Sequence, residues 1–288
     1  MKQLTAEQVH ENWVKLINLI KDTFPEDYPN NRREKLLSMY QYFEDRMSVA
    51  PASGKEAYHN AMVGGYVEHV LHVIDCAIQL KELWKSNGAE INFTDEELIF
   101  AAMHHDLGKV GDVNQDYYIP QDSEWHRKNR GEIYTHNPKL QYMSVTDRAI
   151  FLLNHFGISM TQWEYIGLRL TDGLYEEANK SYYISYNPDW SLKSNIAYIL
   201  HQADSMATHI ESDEWNRLDE EYNTQLTTNM KKAVEPKTET ELPLPKLSKN
   251  HKTFLMNYLE INNDFRNKCC NIISLVFIFL LYNLEFKY

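Results

Sequence analysis

The sequence predicts an all-α protein. Helix-start and helix-stop residues recur along the chain, apolar residues fall at helical spacing between them, and alternating strand patterns are scarce. At 288 residues the chain is long enough for one generous core with an appendage.

The elements follow in chain order. Residues 1–50 are expected to form a helical extension packed on a core domain that spans 51–226. Within GGYVEHVLHVIDCAIQL, the residues Val63, Tyr66, Val67, Val70, Val73, Ile74, Ala77 and Leu80 share one helical stripe, with His69 at its edge. Gly64 and Gly65 mark either the start of that helix or a close backbone approach. Thr94, followed by Asp95, Glu96 and Glu97, makes a capping box, and Phe93 and Leu98 can close a hydrophobic staple around it. The helix it starts is expected to run to Gly108, which puts His105 and Asp106 in its last turn. Asp112 to Met143 is polar and aromatic, long enough for a lid, with YYIP and GEIYTH able to pair as a small β-hairpin across SEWHRKNR. Ser144 with Asp147, and Ser159 with Gln162, predict two short helices ending at Gly157 and near Gly173. A later helix covers SLKSNIAYILHQADSMATHIE and carries Asp204 one turn after His201. Charge and proline mark 227–250 as a linker, and 251–288 is a tail of unassigned role, docked on the core or joining copies in a homo-oligomer.

Composition narrows the function. Against 29 basic residues stand 41 acidic ones, a net charge of −12 that weakens attraction to nucleic-acid backbones and anionic membranes. A small phosphorylated substrate therefore fits better than duplex nucleic acid. Cys76, Cys269 and Cys270 have neither disulfide nor zinc-ribbon spacing, which points to a reducing compartment. The opening MKQLTAEQVHENW has no apolar core of a secretory signal, and the run from Ile272 to Tyr282 is shorter than the roughly 20 residues of a spanning helix. A cytoplasmic protein without a transmembrane segment is expected.

The chemistry-bearing residues are His69, the adjacent pair His105 and Asp106, and Asp204. Two neutral imidazoles and two carboxylates offer mixed nitrogen and oxygen ligands, and the two negative charges balance one divalent cation. Lys109 is placed either to neutralise a phosphate oxygen beside that cation or to sit, solvated, near a helix C-terminus. Asp112 is a candidate proton acceptor. Arg127, Lys128 and Arg130 form a basic cluster that either grips a nucleotide phosphate or is simply the charged turn of the hairpin. His59, His72 and His201 are read as supports for the ligands or as core residues.

The elements HN-AMVGGYVEHVLHV, FAAMHHDLGKVGD and ILHQADSMA resemble the HD-domain metal-dependent phosphohydrolase superfamily over roughly Ala50 to Glu211. The order of helices and the intervening hairpin are most similar to HD domains of bacterial exoribonucleases and their stand-alone relatives. The resemblance implies an HD-type helical bundle and hydrolysis of a phosphoester by a metal-activated water. The ion would be held by His69, His105, Asp106 and Asp204, and Mn²⁺, Fe²⁺, Co²⁺, Ni²⁺, Mg²⁺ or Zn²⁺ all suit that donor set. Dinuclear relatives carry two further histidines, expected near Ser144 to Val145 and near Thr171, where this chain has none; His136 and His155 lie in the interval but in other contexts. One metal is therefore expected, the alternative being a second site that His136 or His155 completes by another geometry. Related monophosphatases carry a glutamate where this chain has Lys109, which turns the expectation away from that activity. The expected substrate is a nucleotide or a similar small phosphorylated molecule. The alternatives are a phosphodiesterase or exonuclease on short single strands, with Tyr117, Tyr118, Trp125 and Tyr134 as stacking faces, and a non-catalytic nucleotide sensor.

Overall fold

The computed structural model describes residues 3–56 and 58–234, which are mainly helical with one small hairpin. Helix α1 (Ala6–Thr23) starts at a capping box between Thr5 and Gln8 and buries Trp13, Leu16 and Ile20, residues three, four and seven apart on one face. Helix α2 (Arg32–Met47) buries Leu36, Met39, Tyr40, Phe43 and Met47 by the same spacing. Helix α1 packs on α2 and on α3 (Gly65–Ser86), α3 packs on α4 (Asp95–His104), and Tyr40 of α2 meets His104 at the end of α4 edge to face. Burying each large side chain of this core contributes on the order of 1.5–3 kcal/mol. Val63, read as part of the α3 stripe, instead precedes the helix and is about half exposed.

Helix α4 begins at Thr94 with the expected box: Thr94 Oγ1 accepts from Glu97 N, and Thr94 N donates to Glu97 Oε2. It ends sooner than expected. His104 is its last residue, His105 is the C-cap, and Asp106 (φ −106°, ψ 10°) has left the helix for a 3₁₀ turn over Leu107–Val110. Gly108 explains the early exit. A Cβ there would lie 2.0 Å from Val145 O, so the turn must pass against the start of α6 (Val145–His155), and a helical continuation is displaced by that packing.

Strand β1 (Tyr118–Pro120) and strand β2 (Tyr134–His136) pair antiparallel, Tyr118 opposite His136 and Pro120 opposite Tyr134. The segment between them contains a short helix, α5 (Glu124–Arg130), with Ser123 as N-cap and Gly131 (φ 60°) closing it. Helix α6 has the expected Ser144 cap on Asp147 N. Helix α7 (Gln162–Arg169) starts at Thr161 with Glu164 rather than at Ser159 with Gln162. Thr161 wins because its hydroxyl also donates to Glu97 Oε1 at 2.7 Å, which ties the start of α7 to the start of α4. After the short α8 (Lys180–Tyr183), helix α9 (Ile196–Val234) begins beyond the expected Ser191, since 188–190 forms a 3₁₀ turn. It continues into the stretch read as a linker; 235–250 and the tail 251–288 lie outside the described residues. Among the described residues no helix is long and apolar enough to cross a membrane.

One buried ion pair joins α2 to α7. Arg32 and Glu164 meet at 2.7 Å, 4% and 0% exposed, and the guanidinium lies 4.0 Å from the centroid of the Phe100 ring on α4. Removing one member strands the other charge out of water. Arg32→Met should therefore lower unfolding stability by about 3–5 kcal/mol in a denaturant titration. Adding Glu164→Gln should recover part of the loss, and an unchanged midpoint for Arg32→Met would show the pair to be dispensable.

Candidate metal centre

Three elements deliver the ligands. His69 sits in the second turn of α3, and the start of that helix is fixed by two glycines. Gly64 adopts φ 78°, and a Cβ on Gly65 would lie 2.0 Å from Asn60 O, so the preceding loop presses directly on the helix. His105 and Asp106 come from the broken end of α4, and Asp204 from the third turn of α9. His69 is fully buried, and His105 and Asp106 nearly so.

The donor atoms converge. His69 Nε2 lies 3.3 Å from Asp204 Oδ1, 3.4 Å from His105 Nε2 and 3.7 Å from Asp106 Oδ2. His105 Nε2 lies 3.5 Å from Asp106 Oδ2 and 3.7 Å from Asp204 Oδ1. Metal–ligand bonds of about 2.0–2.2 Å place tetrahedral ligand atoms roughly 3.3–3.6 Å apart, and these five separations lie in or close to that range. His105 Nδ1 is 2.7 Å from the carbonyl of Ala102, which only accepts; Nδ1 therefore carries the proton, and a neutral ring presents its Nε2 lone pair to the cluster. The donor set fits a divalent cation, and the buried His/Asp cluster can hold one.

Electrostatics agree. Burial pulls the His69 pKa down, but hydrogen bonds and charge from Asp204 and Glu211 outweigh it and raise it to about 10. Burial opposes ionisation of Asp204 too, yet the bond from His69 and the charges of the two histidines hold it down at about 2. Asp106 is likewise depressed, against burial, by Lys109, His105 and His69.

Lys109 Nζ bonds Asp106 Oδ2 at 2.6 Å, and the Asp106 charge keeps it protonated despite burial. It also lines two cavities of about 450 and 400 Å³, which share Tyr118 and Tyr134 of the hairpin. Lys109 thus touches both the candidate ligand Asp106 and space for a small molecule. Asp112 does not join the cluster: its Oδ1 accepts from Asn114 N and Gln115 N at 2.7 Å, and so it closes a turn. Arg127, Lys128 and Arg130 are exposed on α5 and line neither cavity. Lys128 pairs with Glu124 at 2.6 Å, and Arg130 lies over Trp125. His155 packs against Phe151 and Phe156, His201 Nδ1 donates to Thr171 O, and His136 lines the smaller cavity.

Three residues gain roles that spacing did not reveal. The His59 ring lies 4.6 Å from that of His69, tilted by 41°; His59 groups with His69 and Asp106 as possible ligands, and its buried Nε2 finds no hydrogen-bond partner among the described residues. Asp172 accepts from Thr146 Oγ1; burial, and then the charges of Asp106 and Asp204, raise its pKa, while the Thr146 bond opposes the rise. Glu211 bonds His69 and His72. Its one sequence signal is its place seven residues after Asp204, on the same face of α9. No family model, curated protein or solved structure matches the chain, so geometry and resemblance carry the functional reading.

Metal uptake must displace protons. The His69 pKa is raised to about 10 and that of His105 is also raised, against burial, chiefly by Asp106, so a cation competes with protons for these rings. Affinity should therefore rise with pH towards 10, with proton release visible by calorimetry in buffers of different ionisation enthalpy; pH-independent uptake would contradict the assignment. Without metal the sign reverses. The stabilisation from His69 is complete below its ordinary 6.5 and is lost as pH climbs through about 10.

Proposed function

We propose that the protein is a metal-dependent phosphohydrolase that cleaves a phosphoester of a nucleotide or a similar small phosphorylated substrate. The observation that carries the reading is a cluster in which His69 Nε2 lies 3.3–3.7 Å from Asp204, His105 and Asp106, beside Lys109, which bonds Asp106 and lines cavities of about 400 and 450 Å³. That size suits one small molecule rather than a strand. The resemblance of the HDLGK and HQAD segments to HD-domain phosphohydrolases supports the same chemistry.

His69, His105, Asp106 and Asp204 would hold the ion. When bound, a divalent cation lowers the pKa of water and polarises a phosphoryl oxygen. The chain supplies the rest. Lys109, fixed by Asp106, offers its ammonium to a phosphate oxygen at the cavity's inner end. Tyr118 and Tyr134 wall both cavities and present ring surface to the organic part of a substrate. Asp172, with Oδ2 held by Thr146 and its pKa raised, is the carboxylate suited to take up a proton in place of Asp112.

The test is a screen of nucleotides, cyclic nucleotides and labelled oligonucleotides with Mn²⁺ or Ni²⁺. Phosphate release from a nucleotide is expected and should be abolished by Asp106→Ala together with metal retention. Lys109→Met should keep the metal and lower kcat/KM by about 10²–10³-fold, the usual cost of one charge-stabilising donor. Asp172→Asn should keep the metal and lower kcat by about 10²–10⁴-fold. A metal-loaded protein that binds a nucleotide without turnover would favour the sensor, and shortening of oligonucleotides alone would favour the nuclease.

A further inference from the structure

We propose that Glu211 is the positioning residue of the metal centre: its carboxylate holds the Nδ1–H of His69 and thereby keeps Nε2 turned to the ion. This rests on the metal reading above and goes beyond it by saying what orients the ligand that every other donor surrounds.

Glu211 Oε2 and Oε1 lie 3.0 and 3.2 Å from His69 Nδ1. An ionised carboxylate only accepts, so Nδ1 is the donor and Nε2 of the neutral ring is the lone-pair nitrogen. That nitrogen faces Asp204 Oδ1 and His105 Nε2. The two ligand histidines are not held alike. His105 leans on a neutral carbonyl, whereas His69 leans on a full negative charge, which makes it the more basic donor of the pair.

The carboxylate is itself fixed. His72, three residues after His69 on α3, bonds Glu211 Oε1 through Nδ1 at 2.9 Å, so α3 grips Glu211 at two points. Glu211 follows Asp204 by about two helical turns, and α9 therefore sends both a ligand and the group that orients another ligand to the same face of α3. Glu211 is 5% exposed, and both His69 and His72 hydrogen-bond its carboxylate. Glu211 and His72 also line a cavity of about 540 Å³ between α1, α3 and α9. A shortened side chain at 211 would open onto existing space rather than leave a sealed void, so the variant can fold.

Co²⁺ titration of the metal-stripped full chain tests this, because its visible spectrum reports the ligand set and chelator competition reports affinity. Glu211→Ala should bind Co²⁺ about 10–100-fold more weakly, with an altered spectrum. Glu211→Gln, which keeps one acceptor oxygen, should fall between Glu211→Ala and native. His72→Ala breaks the other bond of the same carboxylate but spares His69, and should retain near-native affinity. Native affinity in both Glu211 variants overturns the inference, as does a His72→Ala loss equal to that of Glu211→Ala, which would mark general loosening between α3 and α9. A native protein that takes up no Co²⁺ overturns the metal reading itself and this inference with it.

Discussion

Two imidazoles 3.4 Å apart, each within 3.7 Å of the carboxylates of Asp106 and Asp204 and mostly out of water, set the terms for everything around them. Burying ionised groups costs several kcal/mol each unless opposite charge and hydrogen bonds compensate. Here compensation comes from every side. Lys109 neutralises Asp106 at 2.6 Å, Glu211 accepts from the back of His69, and Ala102 accepts from the back of His105. The raised His69 and depressed Asp204 pKa values express the same balance: the pocket demands a positive charge at its centre.

The helical scaffold meets that demand by close backbone approach. Gly65 lets the 60-loop press on α3, and Gly108 lets the end of α4 pass under Val145, so His69, His105 and Asp106 are delivered by backbone packed too tightly for a Cβ. Behind them the core is conventional, with α1 packed on α2 and α3, α4 packed between α3 and α7, and the Arg32–Glu164 pair tying α2 to α7. Rigidity at the ligands thus comes from packing that extends well away from them.

Local signals made most of the helices legible. The Thr94 box, the Ser144 cap and the hairpin register follow from residues three apart or from facing runs of apolar and aromatic residues, and these interactions are written in short stretches of chain. Competition between signals was not legible. Ser159 with Gln162 reads as the cap of α7, and the contact from Thr161 to Glu97, distant in sequence, moves the start to Thr161. At the site, His69, His105, Asp106 and Asp204 stand out by type and order, and the fold brings them together. Glu211 and Asp172 did not stand out, because single carboxylates on a charged helix and in a turn gain meaning only from His69 and Thr146 across the fold. Arg127, Lys128 and Arg130 show the converse: a conspicuous basic cluster that the fold turns to solvent.

The most direct test is anomalous diffraction at a metal absorption edge, from crystals of the full chain grown with Co²⁺ or Zn²⁺. The account predicts one peak about 2.0–2.2 Å from His69 Nε2, His105 Nε2 and carboxylate oxygens of Asp106 and Asp204. An empty cluster, or a peak held elsewhere with His69 turned away, would contradict it.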